Sequence, residues 1–371
     1  MLTTHSSVPT GPDGPASPPR RPRWLIVLTG FLLVASIGCL VLQYRARDYF
    51  ALSPGTAPDV SELIKVPADR AHPHRGKLLL VTVALRLKLT PFEYLIDQLD
   101  PNIDLVRASA ILGTTPRNQL TQENDQLMSE STQAAIAVAL RRVGYQVTEE
   151  GNGAEVAQVM PGSGADGHLQ PGDVITAIDG SSIPTNDALV RAIRAHHPGD
   201  VVHLAVASPE GQSRTETVTL SLSPASAGAQ RTFLGVAATT KGLKFVTPFP
   251  VTIDAGPIGG PSAGLAFTLG VIDALSPGSI TGGHRIAATG TIDLDGTVGE
   301  VGGVIQKTVA VRDAGAEEFL VPAAEYRDAK AHAGSHMKVV QVNSLDDALA
   351  ALKALGGDLS ALGTPPAPAS H

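Results

Sequence analysis

The feature that most restricts how this 371-residue chain can fold is the run WLIVLTGFLLVASIGCLVL, residues 24 to 42, which carries no charged side chain. Coiled as a helix at about 1.5 Å per residue, it matches a hydrocarbon core of roughly 30 Å. It has no polar face to turn to water, so it is expected to be a transmembrane helix that crosses a bilayer once. The run exceeds the ~7–15 residues of a signal-peptide core, and no clean small-residue cleavage site follows, so the reading is an uncleaved anchor. Arg20, Arg21 and Arg23 precede it and Arg45 and Arg47 follow it. That slight excess favours a cytoplasmic N-terminus, with the remaining chain outside the cytoplasm at the cell membrane. The only cysteine, Cys39, lies inside the run, so the rest of the chain has no disulfide and no thiol chemistry.

The flanks of the anchor have a different texture. Residues 1–23 and 356–371 are rich in proline, glycine and small residues and read as disordered tails. Residues 44–75, which contain HPHRG, read as a stalk. Beyond them KLLLVTVAL at 77–85 has the β-branched and aliphatic character of a buried strand, and TQENDQLMSESTQAAIAVALRRVG reads as a helix over about 121–143 stopped by Gly144. Hydrophobic content of 43% supports two sizeable cores, and a net charge of −7 gives no reason to expect a nucleic-acid partner.

Residues 150–222 alternate short apolar runs with turn pairs such as PGSG, IDGSS and HPGD. The turn-strand-turn HLQPGDVITAIDG and the helix NDALVRAIRA resemble a bacterial PDZ domain. That resemblance implies protein or peptide partners bound as an added strand beside the helix. VGYQV at 143–147 is only a loose match to the carboxylate-binding loop of such domains.

GPIGGPSAGLAFTLG at 256–270 sets Ser262 among glycines and prolines and runs into an uncharged apolar stretch that ends at SPG. A buried helix with Ser262 in its first turn is expected. A serine there serves as an N-cap in the plain reading, or as a nucleophile beside free backbone N–H groups that can receive an oxyanion. A second helix is expected from GGVIQKTVAVRDAG, after Gly303 and up to Gly315. Helical spacing puts Lys307 on one stripe with Val304, Val311 and Ala314. Burial and the positive end of the helix dipole both lower a lysine's pKa toward that of a usable base.

From about 233 to 345, GGPSAGLAFTLGVIDAL followed by TGGHRIAATGTIDLDGTVGEVGGVIQKTVAVRDAGAEEFLVPAAEY resembles the proteolytic domain of the Lon family. With a PDZ module before it and one anchor, the arrangement looks like the membrane-anchored Lon-like serine proteases of Gram-positive bacteria. The resemblance implies an α+β fold in residues 230–355; because KLLLVTVAL and the 121–143 helix precede the PDZ module, residues 76–145 are expected to be the N-terminal part of that fold, with the module inserted between them. It implies Ser262 as nucleophile, Lys307 as its base and Thr289 as support. Gly260, Pro261, Ala263 and Gly264 would shape the backbone or the oxyanion site. No metal or cofactor is implied, and the family suggests a homo-oligomer, a hexameric ring. Many members carry an aspartate before GPSAG where this chain has Gly259 and Gly260, so any role of that acid is absent. No G-x-x-x-x-G-K-[ST] occurs, so cleavage is expected to be ATP-independent and limited to unfolded or exposed segments.

Two other classes compete. GPSAG also satisfies the G-x-S-x-G of a Ser-His-Asp hydrolase, but no strand runs directly into it and His284, His332 and His336 have no context that singles one out. HAGSH at 332–336 lacks the glutamate of a zinc helix. A non-enzymatic PDZ scaffold or tether is the other alternative.

Overall fold

The computed structural model describes residues 23–113, 117–223, 231–256, 258–360 and 362–363. Residues 1–22 of the tail expected at 1–23, and the end at 364–371, lie outside them. The chain forms two compact units, residues 1–52 with 85–113, and residues 53–84 with 114–371.

In the first unit, α1 (Arg23–Ala46) contains a window, Val27–Ala46, long and apolar enough to cross a membrane. β1 (Tyr49–Pro54) pairs antiparallel with β5 (Asp104–Arg107), from Tyr49 opposite Arg107 to Leu52 opposite Asp104. Between them in the chain comes α2 (Pro91–Asp97), and α3 (Ala108–Leu112) follows β5. α2 starts cleanly because Thr90 accepts the Glu93 N–H while the Glu93 carboxylate accepts the Thr90 N–H, with Pro91 at the first helical position.

The second unit is built on four parallel strands in the order β21 (Lys338–Val342), β20 (Glu318–Pro322), β17 (Arg285–Ala288), β3 (Lys77–Leu80). Both faces are covered. Leu78 and Leu80 of β3 enter one core with Leu140 of α4 (Arg117–Arg142) and Phe267 and Leu269 of α6 (Gly264–Leu275). The alternate residues Leu79 and Val81 enter another with Val311 of α7 (Val304–Asp313) and Ala329 of α8 (Tyr326–His332). A strand buried on both sides needs a continuous apolar run, which is why LLLV carries no polar alternation. α9 (Leu345–Ala354) adds Leu349 and Leu352 to the first core. Two small pairs complete this part: β2 (Ile64–Lys65) with β16 (Thr252–Ile253), and β18 (Thr291–Ile292) with β19 (Val298–Gly299).

A second sheet runs β11 (Ser213–Thr219), β10 (Val201–Ala207), β8 (Val174–Ile178), β7 (Ala154–Val159), β14 (Val236–Thr240), with β9 (Ser181–Ser182) on β8. Its own core joins Val156, Ile175, Leu204 and Val218 to Leu189 and Ile193 of α5 (Asn186–Arg194). β12 (Ser221–Leu222) pairs with β13 (Thr232–Phe233). A two-stranded stem, β6 (Thr148–Glu150) against β15 (Lys244–Val246), brackets the whole sheet.

Four expectations change. The run 77–85 is not one strand: it ends at Leu80 and resumes as β4 (Val83–Arg86), because Thr82 is pinned to Thr56 by the Thr82 N–H to Thr56 C=O bond at 3.0 Å and the Thr56 N–H to Thr82 Oγ1 bond at 2.9 Å. Residues 44–75 are no stalk, since Phe50, Ala51 and Val60 are wholly buried. The PDZ-like sheet does not stop at 222, because β14 adds to β7 as an edge strand, and the proteolytic part follows only after it. Of the predicted tail at 356–371, the described part is packed: Leu359 and Leu362 lie on the first core and the Asp358 N–H bonds the Ser279 carbonyl at 3.0 Å.

Candidate active site

The loop that presents Ser262 is held from behind by α4. Gly260 sits at φ 86°, ψ 156°, a conformation that side-chain-bearing residues avoid, and opens one turn of 3-10 helix, Pro261–Ala263, that leads into α6. Its N–H donates to the Asn124 carbonyl at 3.0 Å, and Ser131 Oγ donates to the Pro261 carbonyl at 3.0 Å. A Cβ on Gly264 would lie 2.9 Å from the Ile292 backbone nitrogen and 3.0 Å from Ser131 Oγ, so only glycine lets the three segments meet. Ser262 therefore lies in the 3-10 turn that opens the continuous helical stretch Pro261–Leu275, as expected. It is not a cap, because the residues at the two N-cap positions are Gly260 and Ala263.

Lys307 arrives from the opposite side. Gly303, left-handed at φ 67°, turns the chain into α7, and a Cβ there would come within 2.8 Å of Val83. Lys307 is on the first turn and only 3% exposed. Its Nζ donates to Thr289 Oγ1 at 3.2 Å. Thr289, fully buried, in turn directs its hydroxyl at the Ser262 carbonyl at 3.3 Å, which also accepts the Gly290 N–H at 3.0 Å. With its one proton spent on that carbonyl, Thr289 presents lone pairs to the lysine, so it holds Nζ without occupying the nitrogen's own lone pair. Burial lowers the Lys307 pKa to about 8, against an opposing pull from the Glu325 carboxylate.

Ser262 and Lys307 line one cavity of about 460 Å³, with Leu80, Val81, Thr82 and Val83 along one wall and Gly259, Pro261, Ala263 and Gly302 near the serine and the lysine. Gly260, Gly264 and Thr289 stand behind this lining. None of the three histidines weighed above lines it. Asn124, Ser131 and Glu325 are supports the sequence did not single out. Asn124 and Ser131 are more than 120 residues upstream of the loop they hold. Glu325 accepts the Val301 N–H on Oε1 at 3.1 Å, while its buried Oε2 has no hydrogen-bond partner among the described residues.

A second concavity, of about 340 Å³, lies between α5 and the β13–β14 segment, lined by Leu189, Val190, Ile193, Phe233, Leu234 and Val236 among others. β14 pairs with β7 on one side only, which leaves its other edge open among the described residues. The carbonyls of Leu234 and Gly235 are bonded to the N–H groups of Ala165 and Met160. The expected loop at 143–147 is elsewhere: Val143 is buried in the first core and the Tyr145 ring meets Phe249 edge-on at 4.8 Å.

A serine turn and a buried lysine thus share one cavity on a mixed α and β scaffold that carries a second, separately cored sheet. Residues 247–354 match the Lon protease (S16) C-terminal proteolytic domain, and residues 142–222 match the PDZ domain. The chain is similar to Lon protease 1 of Sorangium cellulosum (strain So ce56), 39% identical over 103 residues that cover 27% of this chain and 12% of the relative. It is 40% identical over 81 residues to Serine protease PepD of Mycobacterium tuberculosis, 21% of this chain and 18% of the relative. A solved PDZ domain of the SdrC-like protein from Listeria monocytogenes aligns over 24% of this chain and 87% of its own, at 21% identity and a TM-score of 0.22. The chain thus spans less than a fifth of the length of these curated relatives.

Proposed function

We propose that the chain is a membrane-anchored, ATP-independent serine endopeptidase that cleaves unfolded or exposed protein segments through a Ser262–Lys307 dyad. The observation that carries this reading is the buried Lys307 amine, fixed by Thr289 on the wall of the cavity that Ser262 lines. A lysine with a pKa of about 8 is neutral in a usable fraction of molecules near neutral pH. Neutral Nζ takes the Ser262 proton as Oγ attacks the peptide carbonyl. The resulting ammonium returns that proton to the leaving amine, and water, deprotonated by the same lysine, releases the acyl group and regenerates Ser262. Within 260–263 the Gly260 N–H is already bonded and Pro261 has none, which leaves the Ser262 and Ala263 N–H groups as the oxyanion donors.

Substrate segments are delivered by the PDZ module as an extra strand on the open edge of β14 beside α5. The absence of a G-x-x-x-x-G-K-[ST] motif supports independence from ATP, α1 supports anchoring, the family likeness supports a hexameric ring, and the arginine excess before α1 with the missing ATP motif supports a catalytic part outside the cytoplasm. The test is cleavage of an unstructured polypeptide by Lys307→Arg and Lys307→Ala, each checked for folding. Both are expected to be inactive, because guanidinium keeps the charge but cannot accept a proton. Retained cleavage by the arginine variant overturns the dyad.

A further inference from the structure

The first unit carries an apolar stripe turned the wrong way for a water-soluble fold. On α2 the inward positions are Tyr94 and Asp97, both buried, with Asp97 gripped at 2.8 Å on each carboxylate oxygen by Arg86 Nη2. Phe92, Leu95, Ile96 and Leu99 follow at the i, i+3, i+4, i+7 spacing of a single helix face, the last just past the helix end. They are 72%, 43%, 47% and 85% exposed. The fork between Arg86 and Asp97, together with the capping box at Thr90, locks the helix with this face outward rather than inward.

The position of α2 along the chain indicates what covers that face. The apolar window of α1 ends at Ala46. Three residues later the Tyr49 ring lies 5.5 Å from the Tyr94 ring of α2, so α2 is tied to the point where the spanning helix leaves the hydrocarbon. That point is the headgroup layer, where amphipathic helices lie flat with apolar side chains in the acyl boundary and where tyrosines concentrate. We propose that α2 is a second membrane contact, lying in the interface with Phe92, Leu95, Ile96 and Leu99 immersed, so that the first unit forms a collar fixing the anchor in depth. This rests on the reading of α1 as a spanning helix.

The test uses the full chain reconstituted in vesicles, with Cys39→Ala as background and single probes attached at Leu99→Cys, Phe92→Cys or Leu33→Cys. An environment-sensitive fluorophore at residue 99 or 92 is expected to lose most of its emission to lipids bearing a nitroxide near the headgroup and to resist aqueous iodide, while the probe at residue 33 responds to a nitroxide deep in the chains. Iodide quenching at 92 and 99, with quenching by deep nitroxide intact at 33, overturns the collar and leaves the anchor standing. Protection at 92 and 99 from both iodide and lipid nitroxide means that protein, such as a second copy of the chain, covers the stripe, and overturns it equally. Loss of lipid quenching at 33 removes the anchor and the collar together.

Discussion

Replacing Glu325 with glutamine is expected to move the rising limb of the kcat/KM profile to lower pH while leaving the fold intact. Glutamine keeps an acceptor for the Val301 N–H, so the turn into α7 is retained, but the negative charge that stabilises the Lys307 ammonium is gone. Among the described residues Glu325 is the charged group that acts on Lys307, and the two make no direct ion pair, so the change belongs at the low end of the usual effect of an opposite charge, about one pH unit. With the wild-type limb near 8, about 3% of the lysine is neutral at pH 6.5; with the limb near 7 that fraction becomes about a quarter. The variant should therefore be more active than wild type at pH 6.5, by roughly eightfold less the factor by which its plateau above pH 9 is lowered, because the weaker base takes a proton less readily. The assay is steady-state cleavage of a fluorogenic unstructured peptide from pH 5.5 to 10. A limb that stays in place, or moves to higher pH, in a folded variant refutes the electrostatic role of Glu325.

Other consequences can be checked alongside. Lys307→Met should stabilise the second unit below pH 8, because a buried lysine held at about 8 rather than 10.5 costs the fold about 3 kcal/mol, less about 1 kcal/mol for the lost bond to Thr289. The wild type binds fewer protons folded than unfolded between pH 8 and 10.5, so its stability rises through that window and the advantage of methionine should vanish by its upper end in thermal melts. Gly264→Ala should destabilise that unit by about 1–3 kcal/mol and lower kcat more than it raises KM, since the added carbon meets the Ile292 backbone behind the serine turn. Val190→Glu on α5 should weaken capture of a cleavable polypeptide while leaving hydrolysis of a short fluorogenic peptide unchanged, read as KM against kcat for the two substrates.

The local geometry of the candidate site was readable where it depends on neighbouring residues, and unreadable where it depends on chain returns. Gly303 and Gly315 frame the lysine helix at the two left-handed positions that only a local rule requires, and the stripe of Val304, Lys307 and Val311 gave the burial. The long apolar helix α1 was equally local. By contrast, the serine turn is held by α4 from before the inserted PDZ sheet, and no periodicity links Ser131 to Pro261. The β14 edge went unrecognised for the same reason: it reaches β7 only after the chain has passed through β8, β10 and β11, and its FLGV reads in isolation as one more short apolar run. KLLLVTVAL misled because hydrophobic continuity does not register a change of sheet. That change is made by one hydroxyl, Thr82, facing Thr56.

The central claim is that Ser262 is a nucleophile made reactive by Lys307. Incubating the full chain with a serine-directed acylating or phosphonylating probe, then mapping the adduct by mass spectrometry, tests it without knowledge of the natural substrate. A single adduct on Ser262, forming faster as pH rises through about 8 and abolished by Lys307→Arg, is the predicted result. An unmodified Ser262 in folded protein, or labelling that proceeds equally in the arginine variant, contradicts it.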